Sequence, residues 1–353
     1  MQLEKDYKRI VIKIGSSLFC PKLGTVNLEL LNAIVNQICA LVENGREVVV
    51  VSSGAIALGM QELNLQERPK ELSHLQSVSA IGQNELMNTY SRFFGNKIRV
   101  AQILLTWEDL DDRRRYLNAK NTILTLLEFG NVVPIINEND TVSTEEIKFG
   151  DNDQLSARVS SLISADLLMI LSDVDGLLDK DKKVIGVIDE ITSQIRALAQ
   201  ATSKKTCVGG MITKIEAAHI AMNSGIPCVI ANGHKEDIIL SVIKEPQKYG
   251  TLFIPKTGLA AKQRWLAFGT KAKGKIIVDD GAKRALINKK SLLSVGVVAT
   301  EGDFRAGDIV SVRDKKNYEF AKGKVGITSK ELDKVKGSRF HKEVIHRDNI
   351  VIL

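Results

Sequence analysis

The feature that most constrains the fold of this sequence is a series of short apolar runs separated by longer segments with helical periodicity. The runs are RIVIKIG, EVVVVSSGA, KIRVAQILL, NVVPIIN, DLLMILSD and IPCVIAN. Runs of this length and β-branched content predict strands that are buried on both faces, as in parallel sheets. Because helical segments such as NLELLNAIVNQICALVENG separate them, the order indicates βαβ crossovers. The sequence therefore predicts an α/β fold, with a mainly parallel open sheet sandwiched by helices.

The pattern changes after Ile254. A basic, glycine-containing stretch is followed by shorter β-like runs, which are KIIVDDGA, SVGVVATEG, DIVSVRD, KGKVGITS and EVIHRDNIVIL. We predict a first domain over residues 1–256, a linker over 257–274 and a small β-rich domain over 275–353. From Lys271 onward the chain has 19 basic and 11 acidic residues, so the formal charge of +7 is concentrated in the second domain. Such an excess attracts nucleic acid in some proteins and is solvated surface in most.

Several classes of protein are excluded by simple features. The start, MQLEKDYKRIVIKIG, has charges where a signal peptide needs a continuous apolar region, and no later run approaches the ~20 apolar residues of a membrane span. We therefore expect a cytoplasmic protein with no membrane partner. The four cysteines show no CxxC spacing, so we expect reduced structural thiols and assign them no metal; they are Cys20, Cys39, Cys207 and Cys228.

Polar residues collect where the predicted strands end. Lys13 lies in the first run and is followed by Gly-Ser-Ser, Ser53 follows the second run, and Ser172 and Asp173 close the fifth. Open α/β sheets bind ligands at the carboxyl ends of their strands. Backbone N–H groups of such loops, together with an ammonium group, bind phosphate oxygens. Each loop alone fits an ordinary turn, but their coincidence predicts a binding site.

Two further segments strengthen this prediction. The segment PIINENDTVSTEEIKFGDNDQLSA, residues 134–157, brings Asp140 after a strand and Asn152 and Asp153 to the start of a helix. The glycine loop VGGMITK precedes a helical stretch that contains Lys214, and a helix start favours anions. Together the loops predict a site for an anionic nucleotide beside a small polar substrate.

The combination of motifs resembles a known family. IVIKIGSS, VVVSSGAIALG, INENDTVS, KFGDNDQLSA, LSDVDGLL and VGGMITK, in this order, are similar to the glutamate 5-kinase (gamma-glutamyl kinase) group of the amino acid kinase family, many of whose members carry a C-terminal PUA domain. The resemblance implies that ATP, with Mg²⁺, phosphorylates the side-chain carboxylate of L-glutamate to give L-glutamyl 5-phosphate, the first step of proline biosynthesis. It also implies proline as feedback inhibitor, a homo-oligomer (dimer or tetramer) and glutamyl phosphate reductase as a partner.

The resemblance also implies a role for individual residues. Lys13, Lys214 and Asp153 match the catalytic positions, and Ser53, Asp140 and Asn152 match the glutamate-binding positions. The nucleotide-binding positions are Lys13, Ser172, Asp173, Val208, Gly209, Gly210, Met211, Ile212, Thr213 and Lys214. A threonine is usual where Val208 stands, so this chain offers only backbone groups there.

Two alternatives remain open from the sequence. One is another member of the amino acid kinase family, acting on acetylglutamate, aspartate, carbamate or a nucleotide. The other is an RNA-binding or RNA-modification protein, because PUA domains are common in that class. The paired INEND and GDND segments argue against the first alternative. The lysine and glycine loops argue against the second, since RNA binding leaves them unexplained.

Overall fold

The chain forms two compact units. The first comprises residues 1–109 and 114–258, and the second comprises residues 110–113 and 259–353. The structure is a computed structural model that describes residues 7–19, 27–143, 152–201, 210–255, 266 and 272–352. Most of the predicted linker, residues 257–274, lies outside these ranges, so the proposed domain boundaries stay a prediction. None of the helices in the described ranges has the length and apolar character needed to span a bilayer.

The first unit is built around one sheet of eight strands. In spatial order its strands are β3-β4-β2-β1-β5-β7-β8-β6, and all neighbours are parallel except β7 and β8. The strands are β1 (Arg9–Ile14), β2 (Glu47–Ser52), β3 (Arg99–Leu105), β4 (Val132–Glu138), β5 (Leu167–Ser172), β6 (Val187–Ile188), β7 (Cys228–Asn232) and β8 (Gly250–Phe253). The predicted mainly parallel sheet is confirmed. The short strands β6 and β8 were not predicted, because their apolar runs are too brief to stand out.

Helices separate most of the strands, as the alternation of patterns predicts. They are α1 (Ser16–Phe19), α2 (Leu28–Glu43), α3 (Ala55–Glu62), α4 (Leu72–Phe94), α5 (Trp107–Asp111), α6 (Arg113–Glu128), α7 (Asn152–Ile163), α8 (Ser193–Ala201), α9 (Met211–Asn223), α10 (Ile238–Lys244) and α11 (Pro246–Tyr249). Asn27 caps α2, with its Oδ1 accepting a hydrogen bond of 3.0 Å from the Leu30 backbone N–H. Such a cap stabilises a helix by about 1 kcal/mol.

The order of the strands decides where a ligand can bind. Strand β1 lies between β2 and β5, so the chain leaves β1 toward one side of the sheet and later returns on the other. A crevice forms at such a switch point, beyond the carboxyl ends of the strands. Two backbone hydrogen bonds of 3.2 Å tie the loops there together, from Ser53 N to Ile14 O and from Gly15 N to Leu171 O. The loops after β2, β1 and β5 are therefore neighbours.

Two glycines bring helices α3 and α4 into backbone contact. A Cβ on Gly59 would lie 1.9 Å from the Val78 carbonyl oxygen, and a Cβ on Gly82 would lie 1.7 Å from that of Ala55. No side chain fits at these distances, so the close packing requires glycine. This contact holds α4 next to the loop that follows β2.

The second unit has its own five-stranded sheet, in the order β10-β9-β11-β12-β13, with β9 and β11 parallel and the other pairs antiparallel. Its elements are β9 (Gly274–Val278), α12 (Asp280–Ile287), a 3₁₀ turn (Ser294–Gly296), β10 (Val297–Glu301), β11 (Ile309–Arg313), β12 (Glu319–Lys324), α13 (Ser329–Val335), a second 3₁₀ turn (Arg347–Asn349) and β13 (Ile350–Ile352). A separate apolar core includes Ile276, Phe304 and Val312.

One β-like run of the second unit folds differently from the prediction. The run KGKVGITS leaves its strand at Lys324, and Thr328 begins helix α13. The Thr328 side chain accepts from the Glu331 backbone N–H while the Glu331 side chain accepts from that of Thr328, which is a capping box. This local hydrogen bonding favours a helix start over a continued strand.

Candidate functional site

Three charged side chains meet at the carboxyl end of β1. Lys13 Nζ lies 2.6 Å from Asp153 Oδ1, and Lys214 Nζ lies 3.2 Å from Asp153 Oδ2. Lys13 comes from β1, Asp153 from the first turn of α7 and Lys214 from the first turn of α9. One carboxylate thus holds two ammonium groups that are far apart in sequence.

Burial makes this cluster unusual. The exposed fractions of Lys13, Asp153 and Lys214 are 5%, 2% and 6%. Burial alone would raise the pKa of Asp153, but the charges of Lys13 and Lys214 outweigh it and lower that pKa to about 2. The Thr213 hydroxyl, 2.8 Å from Asp153 Oδ2, adds a hydrogen bond to the ionised form. The Asp153 carboxyl group is therefore ionised at neutral pH.

A second group of predicted residues lies on the β5 side of the cluster. The hydroxyl groups of Ser172 and Ser17 lie 3.1 and 3.3 Å from Asp173 Oδ1. Ser172 is buried and Asp173 is exposed. These side chains join the loop after β5 to the loop after β1.

The start of α9 completes this side. Gly210 is the residue before the helix, and Met211, Ile212 and Thr213 precede Lys214 in its first turn. The unpaired backbone N–H groups of a first turn attract anions. Met211 is buried and Ile212 is exposed. Val208 and Gly209, which the sequence also assigned to nucleotide binding, lie outside the described residues.

The third group lines a cavity of about 110 Å³ on the β2 and β4 side. Its lining includes the three predicted substrate residues together with three others: Ser53, Asp140, Asn152, Arg68, Asn137 and Glu138. Burial raises the pKa of Asp140, which the Ser79 hydrogen bond and the charge of Arg68 only partly offset. This carboxylate is half-buried and its environment favours an added cation.

Asn152 and Asp153 connect the cavity to the cluster of charges. They are consecutive residues at the start of α7, and the first lines the cavity while the second holds the two lysines. Asn152 Nδ2 lies 2.9 Å from Ser53 Oγ, which also joins two of the predicted substrate residues. Along the sheet edge, the cavity comes first, the two ammonium groups of Lys13 and Lys214 come next, and the loop at Ser172 follows.

Sequence reasoning missed several residues around the cavity. Asn137 and Glu138 belong to the acid-and-amide segment, so their residue types were a usable signal, and both are buried. Arg68 and Gln83 gave no such signal. Arg68 lies in an exposed connection between α3 and α4, and Gln83 lies within a helix.

The described residues offer no evident metal site. Within the described ranges, no three or more His, Cys, Asp or Glu side chains form a cluster that could hold a metal ion. Both oxygens of Asp153 contact ammonium groups, so this carboxylate is not arranged as a metal ligand. Cys39 and Cys228 are free thiols, and burial raises the pKa of Cys228. Cys20 and Cys207 lie outside the described residues.

Comparison with known proteins identifies the family of the chain. Residues 8–232 match the amino acid kinase family and residues 274–346 match the PUA domain. The "Glutamate 5-kinase" of Thermoanaerobacter sp. (strain X514) is 47% identical over 365 residues, covering 98% of this chain and 98% of that protein. The "Glutamate 5-kinase" of Carboxydothermus hydrogenoformans is 44% identical over 372 residues, covering 100% and 99%.

A solved structure shares the fold at low sequence identity. It is the N-acetylglutamate synthase of Neisseria gonorrhoeae complexed with coenzyme A and L-arginine, with a TM-score of 0.52 and 14% identity, covering 80% of this chain and 66% of that one. At this identity the likeness concerns the fold alone. The family match and the full-length relatives carry the assignment: the chain belongs to the amino acid kinase family and has a C-terminal PUA domain.

Proposed function

We propose that this chain is a glutamate 5-kinase, which transfers the γ-phosphoryl group of ATP to the side-chain carboxylate of L-glutamate. The products are L-glutamyl 5-phosphate and ADP, and the reaction is the first step of proline biosynthesis. The observation that carries the proposal is the pair of lysines on one buried aspartate, beside a cavity lined by Ser53, Asp140 and Asn152. Full-length relatives at 47% identity that bear this name support it.

The chemistry needs charge neutralisation more than proton transfer. A side-chain oxygen of glutamate attacks the γ-phosphorus while the bond from that phosphorus to the bridging oxygen of ADP breaks. The glutamate carboxylate is ionised near pH 7, so no general base is required. Two anions must approach each other, and Lys13 and Lys214 offset that repulsion and stabilise charge on the transferring group.

Asp153 is assigned a positioning role in this mechanism. Its two oxygens hold the two ammonium groups at 2.6 and 3.2 Å through contacts made within the protein. Preorganised charges cost no rearrangement at the moment of reaction, which is the main source of electrostatic catalysis. The buried position of all three groups strengthens their interaction with phosphate oxygens.

The nucleotide and its metal ion are assigned to the β5 side. Ser172, Asp173 and the first turn of α9 would contact ATP, with Lys13 and Lys214 near its γ-phosphate. We write Mg²⁺ as part of the substrate MgATP, because Mg²⁺ keeps several waters and binds mainly through phosphate oxygens. It neutralises charge on the β- and γ-phosphates when bound.

The substrate assignment is tested by measuring ADP release in a coupled assay with several acceptors. L-Glutamate, aspartate, acetylglutamate and UMP distinguish the favoured function from other members of the family. We expect turnover with glutamate at a kcat/KM at least about a hundredfold above that of the other acceptors, since a site built for one amino acid rejects those that leave its polar groups unpaired. Turnover with another acceptor and none with glutamate would overturn the proposal, and Lys13→Ala serves as the inactive control.

Four finer assignments follow from the same family and are also proposals. Proline acts as a competing inhibitor, because it shares with glutamate a backbone carboxylate and a cationic nitrogen. The chain forms a homo-oligomer, a dimer or a tetramer, and glutamyl phosphate reductase consumes the product as a partner enzyme. The cytoplasmic location stays a prediction. Mass measurement in solution tests the oligomer directly.

The second unit is assigned a regulatory or assembly role rather than a catalytic one. Every residue with a proposed role, from Lys13 to Lys214, precedes Pro255 in the sequence. A chain that ends at Pro255 should therefore retain glutamate-dependent ADP release. RNA binding by the basic second unit is the alternative role, and it predicts RNA affinity that falls steeply with salt and disappears with this truncation. A folded truncation without turnover would show that the second unit helps to build the site.

A further inference from the structure

We infer that Gln83 is a positioning residue for substrate recognition: through Asn137 it fixes the Asn152 carboxamide so that Asn152 Oδ1 accepts a hydrogen bond from the α-ammonium group of glutamate. This inference rests on the proposed function and specifies the atoms that bind the ammonium group of the substrate. Gln83 lies in the middle of α4, far in sequence from the other residues of the cavity.

The orientation of Asn137 is set by the backbone. The Glu138 backbone N–H, which can only donate, lies 2.9 Å from Asn137 Oδ1. The oxygen of this carboxamide therefore faces Glu138. Its Nδ2 then faces Gln83 Oε1 at 2.9 Å, so Gln83 must supply an acceptor there.

The orientation of Asn152 is set in the same way. Its Nδ2 lies 3.0 Å from the Ser52 carbonyl oxygen, which can only accept, and 2.9 Å from Asn137 Oδ1. Ser53 Oγ lies at 2.9 Å from the same nitrogen. Because the Ser52 carbonyl oxygen and Asn137 Oδ1 can only accept, turning the amide over would lose both of these hydrogen bonds, whereas the Ser53 hydroxyl can donate or accept. The chain of carboxamides thus runs in one direction, from Gln83 through Asn137 to Asn152.

This series of hydrogen bonds leaves one acceptor of Asn152 unpaired among the described residues. Asn152 Oδ1 is buried and has no hydrogen-bond partner among the described residues, although Asn152 lines the cavity. Buried carbonyl oxygens are nearly always paired. Asp140 lines the same cavity, and its carboxylate is the second acceptor. An ammonium group has three donors and no acceptor, so a neutral oxygen and a carboxylate together suit it.

The two ends of the Gln83 carboxamide differ: Oε1 accepts a hydrogen bond from Asn137, whereas Nε2 is unpaired among the described residues. The exposed fraction of Gln83 is 8%, and its Nε2 has no partner among the residues that the structure describes. An apolar side chain would avoid this unpaired donor, but it would also remove the acceptor of Asn137 Nδ2. The amide is therefore needed for Oε1 and not for Nε2.

The test compares glutamate with glutarate, which has both carboxylates but no ammonium group. We expect Gln83→Leu to raise the glutamate KM about tenfold with little change in kcat, and to lower the kcat/KM ratio of glutamate to glutarate about tenfold. A tenfold change corresponds to about 1.4 kcal/mol. Gln83→Met is the second variant, because an unbranched side chain fills the same space. A folded variant that keeps the wild-type ratio would refute the inference.

Two controls separate positioning from general damage. Gln37 is also 8% exposed and accepts a hydrogen bond of 2.8 Å from the Ile239 backbone N–H, remote from the cavity. Gln37→Leu should lower thermal stability but leave the glutamate-to-glutarate ratio unchanged. Gln83→Glu keeps the acceptor oxygen, so it should restore the ratio to within about twofold of wild type, less than the effect of one lost hydrogen bond.

Other outcomes have a definite meaning. If Gln37→Leu changes the ratio as much as Gln83→Leu, or if Gln83→Glu lowers it equally, the positioning role is wrong. If the wild-type chain does not phosphorylate glutamate at all, the proposed function fails first. If the wild type uses glutamate and Gln83→Leu discriminates normally, only this inference fails.

Discussion

Asp140 and Asp153 lie close in sequence beside the same sheet edge, but their surroundings shift their pKa values in opposite directions. Asp153 is buried, and two lysines lower its pKa to about 2 against the effect of burial. Asp140 is half-buried, and burial raises its pKa because Ser79 and Arg68 compensate only partly. One carboxylate has its cations within the protein, whereas the other has a deficit of positive charge that a ligand can supply.

The difference teaches how one site handles the two ends of an amino acid. At the proposed phosphoryl end, Asp153 within the protein holds the charges of Lys13 and Lys214 together. At the proposed amino-acid end, Asp140 and Asn152 line a small cavity, and Asn152 Oδ1 has no hydrogen-bond partner among the described residues. The charge interactions of the phosphoryl end therefore contribute to the stability of the fold, whereas the polar groups of the amino-acid end can contribute to the free energy of ligand binding.

The largest expected effect comes from removing a lysine of the proposed phosphoryl end. We expect Lys13→Ala and Lys214→Ala each to lower kcat at least about a hundredfold, a loss on the order of 3 kcal/mol, because both charges act most strongly in the transition state. The glutamate KM should change much less. Lys97→Ala, at an exposed lysine, is the control. Near-normal turnover in either folded lysine variant would contradict a catalytic role for that lysine.

The next effect concerns Asp153 and stability. Asp153→Asn removes the carboxylate that both buried ammonium groups contact, so we expect a loss of about 3 kcal/mol or more in the free energy of unfolding, together with lost turnover. The stabilising contribution of the carboxylate is fully present above its unfolded pKa near 3.9 and is lost as pH falls through about 2. Denaturant unfolding should therefore show a gap between variant and wild type that is constant from pH 5 to 8 and narrows below about pH 4. Equal stability at pH 7 would contradict this account.

The same substitution at Asp140 should have the opposite effect on stability. Its folded pKa is raised, so the ionised carboxylate opposes folding at neutral pH, and this cost fades as pH falls toward that pKa. We expect Asp140→Asn to raise Tm at pH 7 by a degree or two, an increase that shrinks on acidification. It should also raise the glutamate KM at least about tenfold, because a charge-assisted hydrogen bond is lost. A lowered Tm would show that the Ser79 hydrogen bond and the charge of Arg68 outweigh the cost of burying the carboxylate.

The last prediction concerns inhibition by proline. If proline occupies the amino-acid end, its inhibition should weaken as glutamate rises, and Asp140→Asn should weaken proline binding about as much as it weakens glutamate binding. Initial rates over a grid of both ligands measure this. If Asp140→Asn leaves proline inhibition unchanged, proline binds at a site other than the amino-acid end.

Local patterns explain why much of the fold could be predicted. The buried strands β1, β2, β4 and β5 follow from continuous Val, Ile and Leu runs, and helix α2 begins after the Asn27 cap as its sequence indicates. The run KGKVGITS failed because a capping box at Thr328 competes with strand propensity. The short strands β6 and β8 depend on pairing with partners distant in sequence, which no local pattern records.

The candidate site divides in the same way. The sequence by itself determined which residue types stand at the strand ends: Lys13, Ser53, Asp140, Asn152, Asp153 and Lys214 are all in or next to loops that its motifs mark. Only the tertiary structure decided which of them meet. The ion pairs of Asp153 require β1, α7 and α9 to converge at one sheet edge, and the strand order produces this convergence. Gln83 lies on helix α4, which two glycines bring against α3, so its contact with Asn137 and its proposed role depend on a packing distance that a helical sequence pattern does not encode.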